Sequence, residues 1–141
     1  QRGGYTLTQN IVNSCYKKKD INKDDVTKLN NFNFKSVTVI ERFAFGNFSS
    51  LLNITIPSSV KIIKARAFNN CSELKNVTII NNPELQIAPS AFNSCNKLES
   101  IIIKLTSDNM KTIFNSDIIK SIQDIINDLY QNNLKIIIMK E

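Results

Sequence analysis

The chain has 141 residues, 42% hydrophobic and 21% charged, a length and composition that suit one folded domain rather than a disordered segment. Its longest apolar runs, Ile101-Ile102-Ile103 and Ile136-Ile137-Ile138-Met139, fall far short of the ~20 residues that span a bilayer. With no histidine, it has neither a Ser-His-Asp nor a Cys-His nucleophile, no metal site of the usual histidine-containing kind, and no side chain that ordinarily titrates near neutrality.

The opening Gln1-Arg2-Gly3-Gly4 does not begin with Met and assigns no compartment. Thr8 to Lys19 is expected to form a short helix with Ile11, Val12, Cys15 and Tyr16 on its apolar side, and Asp20 to Asp25 a polar turn. Residues 1–25 are therefore an N-terminal cap or linker. The net charge of +6 favours acidic partners weakly. The one dense basic run, Lys17-Lys18-Lys19 followed by Lys23, has no interleaved aromatic residues for base stacking. It reads as a solvated face and argues against nucleic acid.

From Val26 the chain repeats itself. Ala44-Phe45, Ala67-Phe68 and Ala91-Phe92 recur at a period of 23 to 24 residues and bring other positions into register. Ile40, Ile63 and Ile87 precede the pair; Phe48, Cys71 and Cys95 follow it; then come Leu51, Leu74 and Leu98. Each unit ends in an alternating pair: Ile54 and Ile56, Val77 and Ile79, Ile101 and Ile103. Val26, Leu29, Phe32 and Phe34 supply an earlier half unit. The third unit starts irregularly at Asn81-Asn82-Pro83, where Leu85 substitutes for the position of Val37 and Val60. Alternating apolar residues point to one side of a short strand. One such strand cannot bury that side alone, so the units are expected to stack into a short parallel sheet over residues 26–104, with the Ala-Phe segments on the opposite side.

The run Ile56-Pro57-Ser58-Ser59-Val60 with Ile63, then Ala67-Phe68-Asn69-Asn70-Cys71 and Leu74, resembles the BspA-type (Treponema-type) leucine-rich repeat, whose unit reads approximately I-P-x-S-V-x-x-I-x-x-x-A-F-x-x-C-x-x-L. Phe48 in the cysteine slot and Phe43 beside Ala44-Phe45 depart from it. The resemblance implies an α/β solenoid, a right-handed coil of four to five turns. It further implies a module commonly displayed on microbial or protist surfaces that binds other macromolecules and has no catalytic centre.

Residues 105–141 are expected to cap the coil. Ile118, Ile122, Ile125, Ile126 and Leu129 form one helical stripe between Asp117 and about Gln131, with Ser116 or Asp117 as N-cap. Leu134 to Met139 reads as a last strand. Asp124 and Asp128 against the lone Lys120 on the polar face of the helix argue against a membrane-surface role.

The chemistry-bearing residues form no reactive set. Cys71 and Cys95 share a slot that also accepts Phe48, so they are expected to be reduced core residues, and Cys15 is left unpaired. Three cysteines without histidine or a C-x-x-C make a poor zinc site. Sequons at Asn47, Asn53, Asn70 and Asn76 are spaced by the repeat, which itself generates them. Glu41, Glu73, Glu84 and Glu99 are dispersed, although Glu73 and Glu99 could meet on one edge. Neither catalysis nor a cofactor or metal is expected.

The binding expectation is geometric. If the alternating apolar residues point inward, a strip points outward: Asn31, Asn33 and Lys35; Asn53 and Thr55; Asn76, Thr78 and Ile80; Ser100, Ile102 and Lys104. Such strips bind proteins or glycans in solenoids, and the strip equally suits a merely solvated sheet. A second surface gathers Arg42, Lys61, Lys64 and Arg66. The expected role is a surface or secreted adhesion module for a protein or glycan, including a host extracellular-matrix or surface protein. The alternative is a cytoplasmic interaction or scaffold domain.

Overall fold

The structure, a computed structural model, describes residues 4–15, 36–129 and 133–141. The expected half unit at Val26 to Phe34, the lysine run, and Asn31, Asn33 and Lys35 of the strip lie outside the described residues, as does the side chain of Cys15.

The chain forms β1 (Tyr5–Leu7), α1 (Gln9–Cys15), β2 (Val37–Ile40), β3 (Asn53–Ile56), β4 (Ile62–Ile63), β5 (Asn76–Ile80), β6 (Gln86–Ile87) and β7 (Ser100–Leu105). A short helix α2 (Ser107–Met110), the longer α3 (Asp117–Leu129) and β8 (Lys135–Lys140) follow. Where one parallel sheet is expected from the repeat, two are present. One has the order β1-β2-β4-β6 and the other β3-β5-β7-β8, each parallel throughout. A repeat of 23 residues crosses from the first sheet, through the Ala-Phe turn, to the second.

Registry follows the repeat. Asn53, Ile54, Thr55 and Ile56 face Asn76, Val77, Thr78 and Ile79, which in turn face Ser100, Ile101, Ile102 and Ile103. The inward members Ile54, Ile56, Val77, Ile79, Ile101 and Ile103 are all at most 1% exposed. Between the sheets the rings of Phe45, Phe68 and Phe92 stack, with centroids 5.0 and 5.1 Å apart and planes 1° and 14° from parallel. Ala44, Ala67 and Ala91 are buried beside them, and their small size lets the backbone turns approach each other. The amides of Phe45 and Phe68 donate to the carbonyls of Ala67 and Ala91, both at 2.8 Å. Two residues after each phenylalanine, Asn47, Asn70 and Ser94 all take left-handed backbone, with φ of 64°, 60° and 61°. Asparagine tolerates that region better than most residues, which suits Asn47 and Asn70 to it, while Ser94 takes the position in the third unit.

The irregular third unit is accommodated by one side chain. In the preceding unit the Ser59 hydroxyl donates to the carbonyl of Val37 at 2.8 Å. In the irregular unit the Asn82 amide donates to the carbonyl of Val60, the equivalent position, and its Oδ1 accepts the Glu84 amide at 3.2 Å. Leu85 is fully buried, as are Val37 and Val60.

Both ends add elements to the sheets. β1 pairs with β2, so the segment expected as an N-terminal cap or linker contains a strand. The helix after it spans Gln9–Cys15, with Val12 buried and the Thr8 hydroxyl accepting the Ile11 amide at 3.3 Å. At the other end Ile118, Ile122 and Ile125 of α3 are buried, each contributing about 1.5–3 kcal/mol against exposure. The Ser121 hydroxyl, 7% exposed, accepts the Ile87 amide at 3.0 Å and ties the helix to β6. β8 pairs with β7 along its six residues.

Candidate binding face

Because side chains alternate along a strand, the partners of the buried ladder project outward from β3, β5, β7 and β8. The first outward row holds Asn53, Asn76, Ser100 and Lys135. Asn76 Nδ2 donates to Asn53 Oδ1 at 2.8 Å, and Ser100 Oγ donates to Asn76 Oδ1 at 2.6 Å. This chain of bonds pins three side chains into one geometry. Ser100 is only 7% exposed, so it anchors the row beneath its neighbours, and contact at its end falls to the exposed Lys135.

The second row runs Thr55, Thr78, Ile102 and Ile137; the third holds Ile80, Lys104 and Met139. Thr55, Thr78, Ile80, Ile102 and Lys104 are half-buried, while Ile137 and Met139 are 39% and 44% exposed. The face therefore passes from hydroxyl and amide groups on β3 and β5 to an apolar patch bordered by Lys104 and Lys135 on β7 and β8. The outward positions on these four strands contain no acidic residue.

Eight of the expected strip residues, Asn53, Thr55, Asn76, Thr78, Ile80, Ser100, Ile102 and Lys104, thus lie together on this face, while Asn31, Asn33 and Lys35 lie outside the described residues. The expectation stopped one strand short. Lys135, Ile137 and Met139 extend every row, and the signal for them was present in the alternation of Ile136 and Ile138 with the register of Ile101 and Ile103.

The other sheet carries the second surface. Arg42, Lys61, Lys64 and Arg66 are all exposed, and Arg42 and Lys64 border an open groove with Ile62, Gln86 and Ala88. Lys64 Nζ lies 2.8 Å from a Glu41 carboxylate oxygen, and this hydrogen-bonded lysine holds the Glu41 carboxyl below the usual carboxylate range. Glu73 is paired with Lys97 at 3.0 Å, so its neighbour in the ladder is a cation instead of Glu99. Among the described residues no three His, Cys, Asp or Glu side chains gather as a metal site, and no helix is long and apolar enough to cross a membrane.

Cys71 and Cys95 are buried free thiols in the core ladder. Each donates its S–H to a backbone carbonyl of the preceding repeat, Phe45 and Phe68 respectively, at 3.1 Å. The adjoining Cys95 and burial together push the Cys71 thiol well above its ordinary pKa. Both are buried packing residues whose thiol protons are satisfied by backbone carbonyls.

A profile for the BspA-type leucine-rich repeat region matches residues 9–137 in six copies. The chain belongs to the BspA-type leucine-rich repeat family. The match reaches beyond residues 26–104 on both sides, into α1 and β8. No curated protein and no solved structure matches the chain. As a member of a leucine-rich repeat family it is suited to protein binding, and its outward face is where the BspA-type repeats set equivalent side chains in rows.

Proposed function

We propose that this chain is a non-enzymatic binding module that recognises a protein or a glycan through the outward face of β3, β5, β7 and β8. In this reading residues 26–104 form a right-handed solenoid, the hand preferred by parallel crossover connections, capped by residues 1–25 and 105–141. The observation that carries it is the ordered row Asn53–Asn76–Ser100, whose hydrogen bonds prearrange polar groups on a rigid sheet. Prearrangement lowers the ordering cost of binding. Amide and hydroxyl groups suit sugar hydroxyls or peptide groups, and Lys104 and Lys135 suit carboxylates or sulfates. An adhesion role at a cell surface, or as a secreted protein facing a host matrix or surface protein, fits this exposed recognition strip.

The test is capture of immobilised matrix glycoproteins and arrayed glycans by the chain and by a Thr55→Glu/Thr78→Glu variant. Loss of capture by tenfold or more, with unchanged thermal unfolding, supports the face. Equal capture by both proteins removes it.

A second reading, a cytoplasmic scaffold domain, is favoured by the two S–H bonds of Cys71 and Cys95, which only reduced thiols can make. Thiol titration of protein taken from its own cells separates the two: a Cys71–Cys95 disulfide supports the extracellular reading, and free thiols support the scaffold.

A further inference from the structure

The outer edge of β8 is open: β8 ends the order β3-β5-β7-β8, and among the described residues nothing pairs beyond it. Open, apolar edges are the part of a sheet that recruits another strand. The amides of Lys135 and Glu141 donate to the carbonyls of Glu99 and Leu105 at 2.8 and 2.7 Å. Peptide groups alternate direction along a strand, so those of residues 135, 137, 139 and 141 face β7, while those of Ile136, Ile138 and Lys140 face away.

We propose that this edge pairs with a second copy of itself. Two β8 strands run antiparallel about a twofold axis, joining two four-stranded sheets into one of eight. A twofold axis perpendicular to the sheet must bring outward residues opposite outward residues. This restricts the pairing to a few registers, and charge selects among them. Setting Ile138 opposite its own copy places Lys135 opposite Glu141 of the second copy, twice by symmetry. It also places Ile137 opposite Met139, twice, so the two most exposed apolar side chains of the strand cover each other. These are the non-hydrogen-bonded pairs of the ladder, where opposing side chains approach most closely. Moving the second strand by one step sets Lys135 against Met139 and Glu141 against the uncharged Asn133, so both ion pairs are lost. The strand thus carries a self-complementary pattern, lysine, isoleucine, methionine, glutamate, on one face. The lysine that would repel a generic edge is answered by the glutamate of the copy. An isologous pairing of this kind engages Lys135 at the end of the first row, leaves the amide and hydroxyl groups of β3 and β5 free, and would place two such faces side by side.

Sedimentation equilibrium over a concentration series, with circular dichroism to monitor folding, tests this. The chain is expected to dimerise reversibly. Lys135→Glu or Glu141→Lys alone should raise the dimer dissociation constant on the order of tenfold, by replacing two attractions with two repulsions. The double variant should restore it, an outcome that misfolding cannot mimic. Ile138→Pro, which removes an amide facing away from β7, should leave the spectrum intact and abolish the dimer. A monomer at every concentration overturns the proposal, and so does a dimer indifferent to the single reversals.

Discussion

The same repeat builds both sheets, yet they differ in length, neighbours and exposure. Strands β1, β2, β4 and β6 have two to four residues, whereas β3, β5, β7 and β8 have four to six. In the shorter sheet Ile40, Ile63 and Ile87 are buried, and soon after them the backbone swings into the Ala-Phe turn. Phe43 and Arg66 mark that swing with φ of 60° and 59°. In the longer sheet each of β3, β5 and β7 buries two or three residues in alternation, and so presents two or three outward ones. Length therefore sets how many side chains each sheet turns outward: the shorter strands lead into the turn of the repeat, and the longer ones present whole rows. Both nevertheless rest on one aromatic stack, and the first test of the comparison is whether they are separable.

Phe68→Ala should be the most damaging single change. It empties the middle of the Phe45–Phe68–Phe92 stack and should cost about 3–5 kcal/mol, a large part of the stability of a domain this size. Differential scanning calorimetry should show one transition at a lower temperature, because the ring supports both sheets. Two resolved transitions would mean that the sheets are independent structures.

Asn76→Ala probes the longer sheet alone. It removes the central link of the outward row, leaving Ser100, which is nearly covered, without its acceptor and Asn53 without its donor. The expected cost is about 1–2 kcal/mol by urea denaturation. Asn53→Ala, which deletes one bond at the half-exposed end of the row, should cost less. Equal effects would show that the row is held by the backbone instead of by its own bonds.

Much of this architecture was legible in the residues. Aligning Ala-Phe pairs located the stacked rings, the buried cysteines and the register of β3, β5 and β7, because a repeat forces equivalent side chains to meet. Leu85 was recognisable as a replacement for Val60 for the same reason. The shorter sheet was not legible as a sheet, since strands as brief as Ile62–Ile63 show no alternation to detect. Nor was the work of Asn82, whose amide imitates the Ser59 hydroxyl by a different side chain from a shifted position. On the candidate face the rows were readable, but Ser100 shows the limit of period-two reasoning. Alternation says which side a residue points to, and not how far its neighbours on the flanking strands β5 and β8 cover it.

The smallest expected effect belongs to the flank of the shorter sheet. Lys64 donates to Glu41 and lowers its carboxyl pKa, so the folded state favours the ionised form more than the unfolded chain does. That stabilisation is fully present above the unfolded value of about 4.3 and disappears as pH falls through the lowered folded value. Glu41→Gln should therefore unfold at slightly lower urea than the parent at pH 7, and the gap should close on acidification. The gap should remain small because the Lys64 and Glu41 side chains are 44% and 30% exposed, where water and salt screen the pair. A gap that widened at low pH would reverse the sign of the argument. A large gap at pH 7 would mean that Glu41 supports the shorter sheet mechanically, and the contrast between the shorter sheet and the longer one would have to be redrawn around this edge.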